Sequence, residues 1–230
     1  SKRHGGRLLA DQLAINRVRR VFSVPGESFL AALDGLVDHD IRNVVCRHEG
    51  GAAMMAEATA KLTGRPGVLF VTRGPGATNA ASGLHVAMQD QTPVVAFVGQ
   101  VALRDRDRGA FQEVDYRRFF SPLVKWAAEV ETTARLPEYV ARAFHLAQSG
   151  RPGPVVLALP EDVLSAEAEV PDLGPARPPV PAVDPAAARG LLDRLLAHDR
   201  PMIVAGGPGW SRQAQADLEA LAEATGLPVA

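Results

Sequence analysis

The sequence has little of what several common kinds of site require. It holds one cysteine, Cys46, so it has neither a disulfide framework nor a thiolate metal centre. Its formal net charge is −1, and no basic run is clustered, which removes the electrostatic footprint of a nucleic-acid binder. The densest charge, Arg104-Asp105-Arg106-Asp107-Arg108, alternates in sign and reads as a solvated loop. No apolar run approaches the ~20 residues of a membrane span, so no membrane partner is expected. Lys2, Arg3, His4 and Arg7 lead into a helix rather than a secretory apolar core, and the cytoplasm is the expected location. Histidine and cysteine nowhere fall at metal-ligand spacing. There is no Gly-Lys-Ser/Thr phosphate loop, and Ser28 has no paired histidine in a nucleophile elbow.

What is present is a regular alternation. Hydrophobic residues make up 47% of 230, enough for the core of one domain and part of a second. Leu8, Leu9, Leu13 and Ile15 predict a helix over about 6–16, and Arg20–Val24 a strand stopped by Pro25-Gly26. Phe29, Leu30, Leu33, Leu36 and Val37 then keep helical spacing. Ile41–Cys46 reads as a buried strand with Cys46 in the core, and Ala52–Leu62 as a helix. After a turn at Gly64–Gly67, Val68–Thr72 is apolar without alternation, as in a parallel strand buried on both faces. A helix over about 77–88, a strand at Pro93–Gly99 and a polar loop from Gln100 to about Tyr116 follow. Leu136–Gln148 is helical, and Val155–Leu159 is a strand closed by Pro160. This alternation predicts an α/β fold, a mainly parallel sheet with helices on both faces.

Six prolines between 171 and 185 mark a linker over about 165–184, which divides a first domain, 1–164, from a second, 185–230. In the second, helices are expected at 186–197 and 213–225, with strands at 201–205 and from 227. So short a strand–helix–strand piece cannot bury its own faces, so the second α/β domain is expected to be incomplete and the chain the front part of a longer protein.

Arg47-His48-Glu49-Gly50-Gly51-Ala52 stands where a strand hands over to a helix. That edge of an open α/β sheet is where ligands bind, and two glycines let a ligand approach the backbone. A glutamate in a first helical turn is equally what the helix dipole favours. Gly74-Pro75-Gly76-Ala77-Thr78-Asn79 approaches a dinucleotide fingerprint but lacks its third glycine and the acid on the next strand, where Gly99-Gln100 stands. It can present backbone N–H groups and the Asn79 amide to a ligand, or simply make a tight turn. Gly206-Gly207-Pro208-Gly209 is a second partial match. Helices 51–62 and 77–88 are rich in small residues, among them Ala56 and Ala81. Such faces suit close packing, either against a second subunit or inside one domain.

Five stretches in this order resemble the thiamine-diphosphate-dependent enzymes of the acetolactate synthase group. They are Val24-Pro25-Gly26, Arg47 to Ala52, Thr72 to Asn79, Ala110-Phe111-Gln112-Glu113-Val114-Asp115, and Ser149-Gly150-Arg151-Pro152-Gly153-Pro154-Val155. The resemblance makes 5–165 the pyrimidine-binding domain and the stretch from about 185 the start of the central domain. It implies that Glu49 hydrogen-bonds N1′ of the cofactor's pyrimidine and so promotes loss of the C2 proton. It implies further that Pro25, Gly26, Gly74, Pro75, Gly76 and Asn79 bind the cofactor, that Phe111 and Gln112 stand by the reacting carbon, and that Lys125 lies at the substrate entrance. A simple solvated lysine fits Lys125 as well.

Two departures stand out. The family usually has Pro-Gly-Gly where this chain has Pro25-Gly26-Glu27, and Glu27 there suits either the acceptor side of the site or the dipole of the next helix. The family's Gly-Asp-Gly site for Mg²⁺ and diphosphate is absent from these 230 residues. Alone, the chain is therefore expected to be inert. The implied activity is a carboligase or lyase acting on a small 2-oxo acid, such as pyruvate giving acetolactate, in a homodimer or homotetramer. FAD is a further cofactor of the family, with contacts mostly past residue 230. A non-catalytic pyrimidine-binding subunit and a nicotinamide oxidoreductase are the alternatives.

Overall fold

A computed structural model describes residues 1–178 and 181–230. They form two compact units, Ser1–Pro178 and Pro179–Ala230. The first contains β1 (Arg3–His4), α1 (Gly5–Ile15), β2 (Arg20–Ser23), α2 (Leu30–Leu36), β3 (Arg42–Val45), α3 (Glu49–Thr63), β4 (Gly67–Val71), α4 (Pro75–Gln89), β5 (Val94–Gln100), α5 (Tyr116–Phe120), β6 (Trp126–Glu129), α6 (Leu136–Gln148), β7 (Val155–Pro160), α7 (Glu161–Ser165) and β8 (Glu167–Ala168). Strands β2 to β7 make one sheet in the order β3-β2-β4-β5-β7-β6, with every pairing parallel.

The expected parallel sheet is present, and its strands show why they lack alternation. Side chains alternate between faces along a strand, and here both faces are covered. Val68, Phe70, Val95, Phe97, Val155 and Leu157 join one buried cluster with residues of α1, α2 and α6. Leu69, Val71, Val94, Ala96, Val156 and Ala158 join another with residues of α3, α4 and α5. The chain runs from β2 outward to β3 and then crosses back to β4 on the other side of β2. The carboxyl ends of β2 and β4 therefore flank the point where the strand order reverses, the usual ligand crevice of such sheets.

Several expectations change. Strand β3 lies at the sheet edge and is half-buried, with Val45 63% exposed, so Cys46 is only partly covered. Its apolar, β-branched sequence matches a central strand, but only the strand order decides which strand is outermost. Helix α5, strand β6 and helix α7 are additions; β6, Trp-Ala-Ala-Glu, is too short and alanine-rich to register as a strand. Many small residues of α3 and α4 pack within the unit, whereas Gly51, Ala58 and Ser82 are exposed. Ala52, Ala53, Ala56 and Ala60 are buried, and a Cβ at Gly83 would stand 2.5 Å from the Cβ of Ala53.

Much of the expected linker is tied to the first unit. Strand β8 pairs antiparallel with β1, Gln12 donates to the carbonyl of Leu173 at 2.9 Å, and Ala176 N–H donates to Asn16 at 3.0 Å. Pro179 and Val180, inside that linker, lie outside the described residues. Among its described residues the second unit contains α8 (Pro185–Leu196) and α9 (Arg212–Thr225), neither with a buried residue, and a single parallel bridge, Ile203 to Val229, where two short strands were expected. Among the described residues, no helix is long and apolar enough to cross a membrane.

Candidate active site

The loops after β2 and β4 touch. Gly26 is extended, and a Cβ there would stand 2.5 Å from Thr72 Cβ and Oγ1, so glycine is what lets the two loops meet. Thr72 Oγ1 is 2.8 Å from Ser28 Oγ, and Ser28 fills the space over Gly99, where a Cβ would lie 1.9 Å from that hydroxyl. Pro25 is exposed at the rim of the same turn.

Glu49 is the first residue of α3. His48 caps the helix, its Nδ1 accepting from Gly50 N–H at 3.0 Å, which leaves Glu49 free of capping duty. Glu49 is 8% exposed, and its Oε2 accepts from Asn79 Nδ2 of α4 at 3.0 Å. Its Oε1 faces Gly76, where a Cβ would stand 3.5 Å from it and 2.8 Å from Thr72 Cγ2. Among the described residues no hydrogen bond reaches Oε1. Gly74 caps α4 with φ +60°, and Pro75 takes the first helical position, where its missing N–H costs nothing. Gly74 N–H donates to the Tyr116 hydroxyl at 2.7 Å; burial pushes this phenol up to about 12. Glu49, Gly76 and Asn79 thus meet beyond the ends of β3 and β4, and Gly26 joins them through Thr72, which lies against both glycines.

Phe111 and Gln112 belong to the same edge. Gln112 has φ +66°, and its Cβ lies 2.7 Å from where a Cβ of Gly74 would be. Phe111 is 75% exposed. Glu27 is held by Arg73, whose Nη2 donates to its Oε1 at 2.8 Å. Lys125 is not brought to this site. It precedes β6 and so sits at the amino edge of the parallel sheet, where its Nζ donates to the carbonyls of Leu146 and, at 2.7 Å, Ser149 at the end of α6. Burial lowers its pKa. Sequence alone assigns no individual role to Thr72 or Arg73, although both lie in a family-like stretch, and none to Tyr116 or Glu161. An arginine between a buried strand and a glycine turn was the one local signal; the others meet it only in the fold.

The profile of the thiamine pyrophosphate enzyme N-terminal TPP binding domain matches residues 3–119, over half of the chain. The chain is 36% identical over 204 residues to the catabolic acetolactate synthase of Raoultella terrigena, covering 88% of this chain and 36% of that protein. It is 34% identical over 229 residues to the acetolactate synthase of Bacillus subtilis strain 168, covering 99% and 40%. It is 36% identical over 236 residues to the acetolactate synthase isozyme 3 large subunit of Escherichia coli K12, covering 98% and 40%. The chain thus spans about two fifths of the length of the curated relatives it matches. The glutamate at the crossover edge, the glycine turns facing it and the profile match agree, and the chain belongs to the thiamine pyrophosphate enzyme family, of which it carries the N-terminal TPP binding domain.

Proposed function

We propose that this chain supplies the cofactor-activating carboxylate of a thiamine-diphosphate-dependent carboligase that joins 2-oxo acids, acetolactate synthase-like in taking pyruvate to 2-acetolactate. The observation that carries the reading is Glu49 with one oxygen fixed by Asn79 and the other facing glycine. The residues suit a flat aromatic ring: Glu49 presents Oε1 beside Gly76, and Gly26 and Gly76, packed against the Thr72 side chain, add no side chain of their own there, with Pro25 at the rim of the same turn. Bound thiamine diphosphate supplies a nucleophilic carbon and an electron sink for decarboxylation and carbon–carbon bond formation. Glu49 holds a proton at Oε1 toward a ring nitrogen, and the Asn79 bond keeps the carboxyl from turning away. Phe111 and Gln112 stand over the Gly74 turn, beside where substrate enters. Within this chain Lys125 stands at the opposite edge of the sheet from Glu49, and Glu27 acts through Arg73.

Mg²⁺ and the diphosphate are assigned to residues outside this chain, and the working form is a homodimer or homotetramer. The relatives' names, all acetolactate synthases, support ligation over simple decarboxylation. The test incubates the full-length protein with thiamine diphosphate, Mg²⁺ and a panel of 2-oxo acids and identifies products. Acetolactate from pyruvate is expected; release of aldehyde alone would assign a decarboxylase instead, and no consumption of any 2-oxo acid would overturn the reading.

A further inference from the structure

Arg73 lies where four strand-end loops meet, and the chemistry above gives it no proton to move. It follows β4. Its Nη2 donates to Glu27 Oε1 at 2.8 Å in the loop after β2, and its Nη1 pairs with Glu161 at the end of β7. Its Nε donates to the carbonyl of Phe111 at 3.2 Å, in the loop after β5. In the sheet β2 adjoins β4 and β7 lies two strands away, roughly 10 Å, so the side chain crosses over β5. The residue is 8% exposed, and three partners in three directions fix its planar fork.

The backbone beside Arg73 braces the same dipeptide. Gly74, at φ +60°, brings its main chain under Gln112, and Gln112 itself is left-handed at φ +66°, a conformation that a non-glycine residue keeps only where its surroundings impose it. The segment 101–115 holds one short 3₁₀ turn, Leu103–Asp105, and no other regular structure. Among the described residues, the Arg73 bond is the sole hydrogen bond to Phe111, and none reaches Gln112.

We propose that Arg73 is the positioning residue for Phe111 and Gln112, fixing the height at which they stand over the glycine turn and hence the fit of the acceptor 2-oxo acid. Glu27 and Glu161 act on the same dipeptide indirectly, by holding the guanidinium in place. The inference rests on the carboligase reading. It explains what Glu27 does where the family usually has a glycine: its carboxylate anchors an arginine rather than meeting the acceptor.

The test uses the full-length holoenzyme. Lysine offers one compact charge in place of a fork, so Arg73→Lys cannot serve all three partners. Its KM for the acceptor 2-oxo acid is expected to rise about tenfold, the scale of a sub-ångström misplacement. Hydrogen–deuterium exchange at C2 of the cofactor should stay within roughly twofold, since Glu49, Asn79 and Gly76 are untouched. Glu27→Gln and Glu161→Gln keep the Nε bond and should each raise KM roughly two- to threefold. An unchanged KM in Arg73→Lys overturns the proposal, and so does a raised KM accompanied by a slowed exchange rate and a lowered Tm, which would mark a general structural role. If Arg73→Lys does not fold, the two glutamine variants decide, and an unmoved KM in both overturns it. A wild-type holoenzyme without C2 exchange overturns the carboligase reading and this inference with it, whereas normal exchange with an indifferent Arg73→Lys overturns the inference alone.

Discussion

Replacing Glu49 by glutamine isolates the proton from the shape. The carboxylate uses Oε2 to accept from Asn79 Nδ2 at 3.0 Å, and Oε1 faces the glycine side. A glutamine has one acceptor and one donor at these two places. Turning its NH₂ toward Asn79 would set donor against donor and cost about 1–3 kcal/mol, so its oxygen faces Asn79 instead. The NH₂ then stands where Oε1 was. It can donate a hydrogen bond to a ring nitrogen, but it holds no proton that it can give up and take back. General acid–base catalysis of this kind is worth ~10²- to 10⁴-fold, or about 3–5 kcal/mol of barrier. Folding changes less, because a buried charge at a helix start contributes at most about 2 kcal/mol. Glu49→Gln in the full-length holoenzyme should therefore exchange the C2 proton of the cofactor at least a hundredfold more slowly, with Tm nearly unchanged. Exchange followed by quench and proton NMR measures the rate, and circular dichroism the stability. A saturated mutant exchanging at the wild-type rate would refute the assignment, and a collapsed Tm would show that the carboxylate is structural.

Three further outcomes follow from the geometry. The unfolded chain ionises the Tyr116 phenol from about pH 10, but the folded one only from about 12, so the unfolded state holds fewer protons in that window and stability falls as pH rises through it. Tyr116→Phe should flatten that fall and, by orphaning Gly74 N–H, cost roughly 1–3 kcal/mol at neutral pH; an unaltered alkaline slope in chemical denaturation would count against it. Gly26→Ala brings a Cβ to 2.5 Å from Thr72 and should lower stability by about 1–3 kcal/mol, read as a shifted urea midpoint that a tolerant loop would not show. Lys125→Met removes a cation from the carbonyl end of α6 and should cost roughly 1 kcal/mol while leaving KM alone; a raised KM at unchanged stability would return Lys125 to the substrate path.

The fold was legible where the sequence is locally redundant. Runs such as Val68–Val71 and Val94–Val98, short, rich in valine and bounded by turns, read as strands covered on both faces, and the helices between them follow from spacing. The convergence of Glu49 with Asn79 was foreseeable too, because each lies in the first two turns of a helix that follows a strand of a parallel sheet. Lys125 shows how hard it is to place a residue on one edge of the sheet from sequence. In a parallel sheet, a residue before a strand lies at one edge and a residue after it at the other. Without β6 at Trp126–Glu129, a strand of four residues with two alanines, nothing local told on which edge Lys125 falls.

Arg73 marks a different limit. Its partners Glu27, Phe111 and Glu161 lie 46, 38 and 88 residues away, each on a separate loop. Taken alone, Glu27 suits a helix dipole, Glu161 begins the short helix α7, and the Phe111 carbonyl belongs to a loop without regular structure. What joins them is the strand order, which sets the ends of β2, β5 and β7 around the end of β4. A buried arginine immediately before a glycine turn needs partners wherever it lies, since an unpaired guanidinium in a closed site is costly. The arginine can thus be read from sequence as a demand for acids, but which acids answer it is decided by topology.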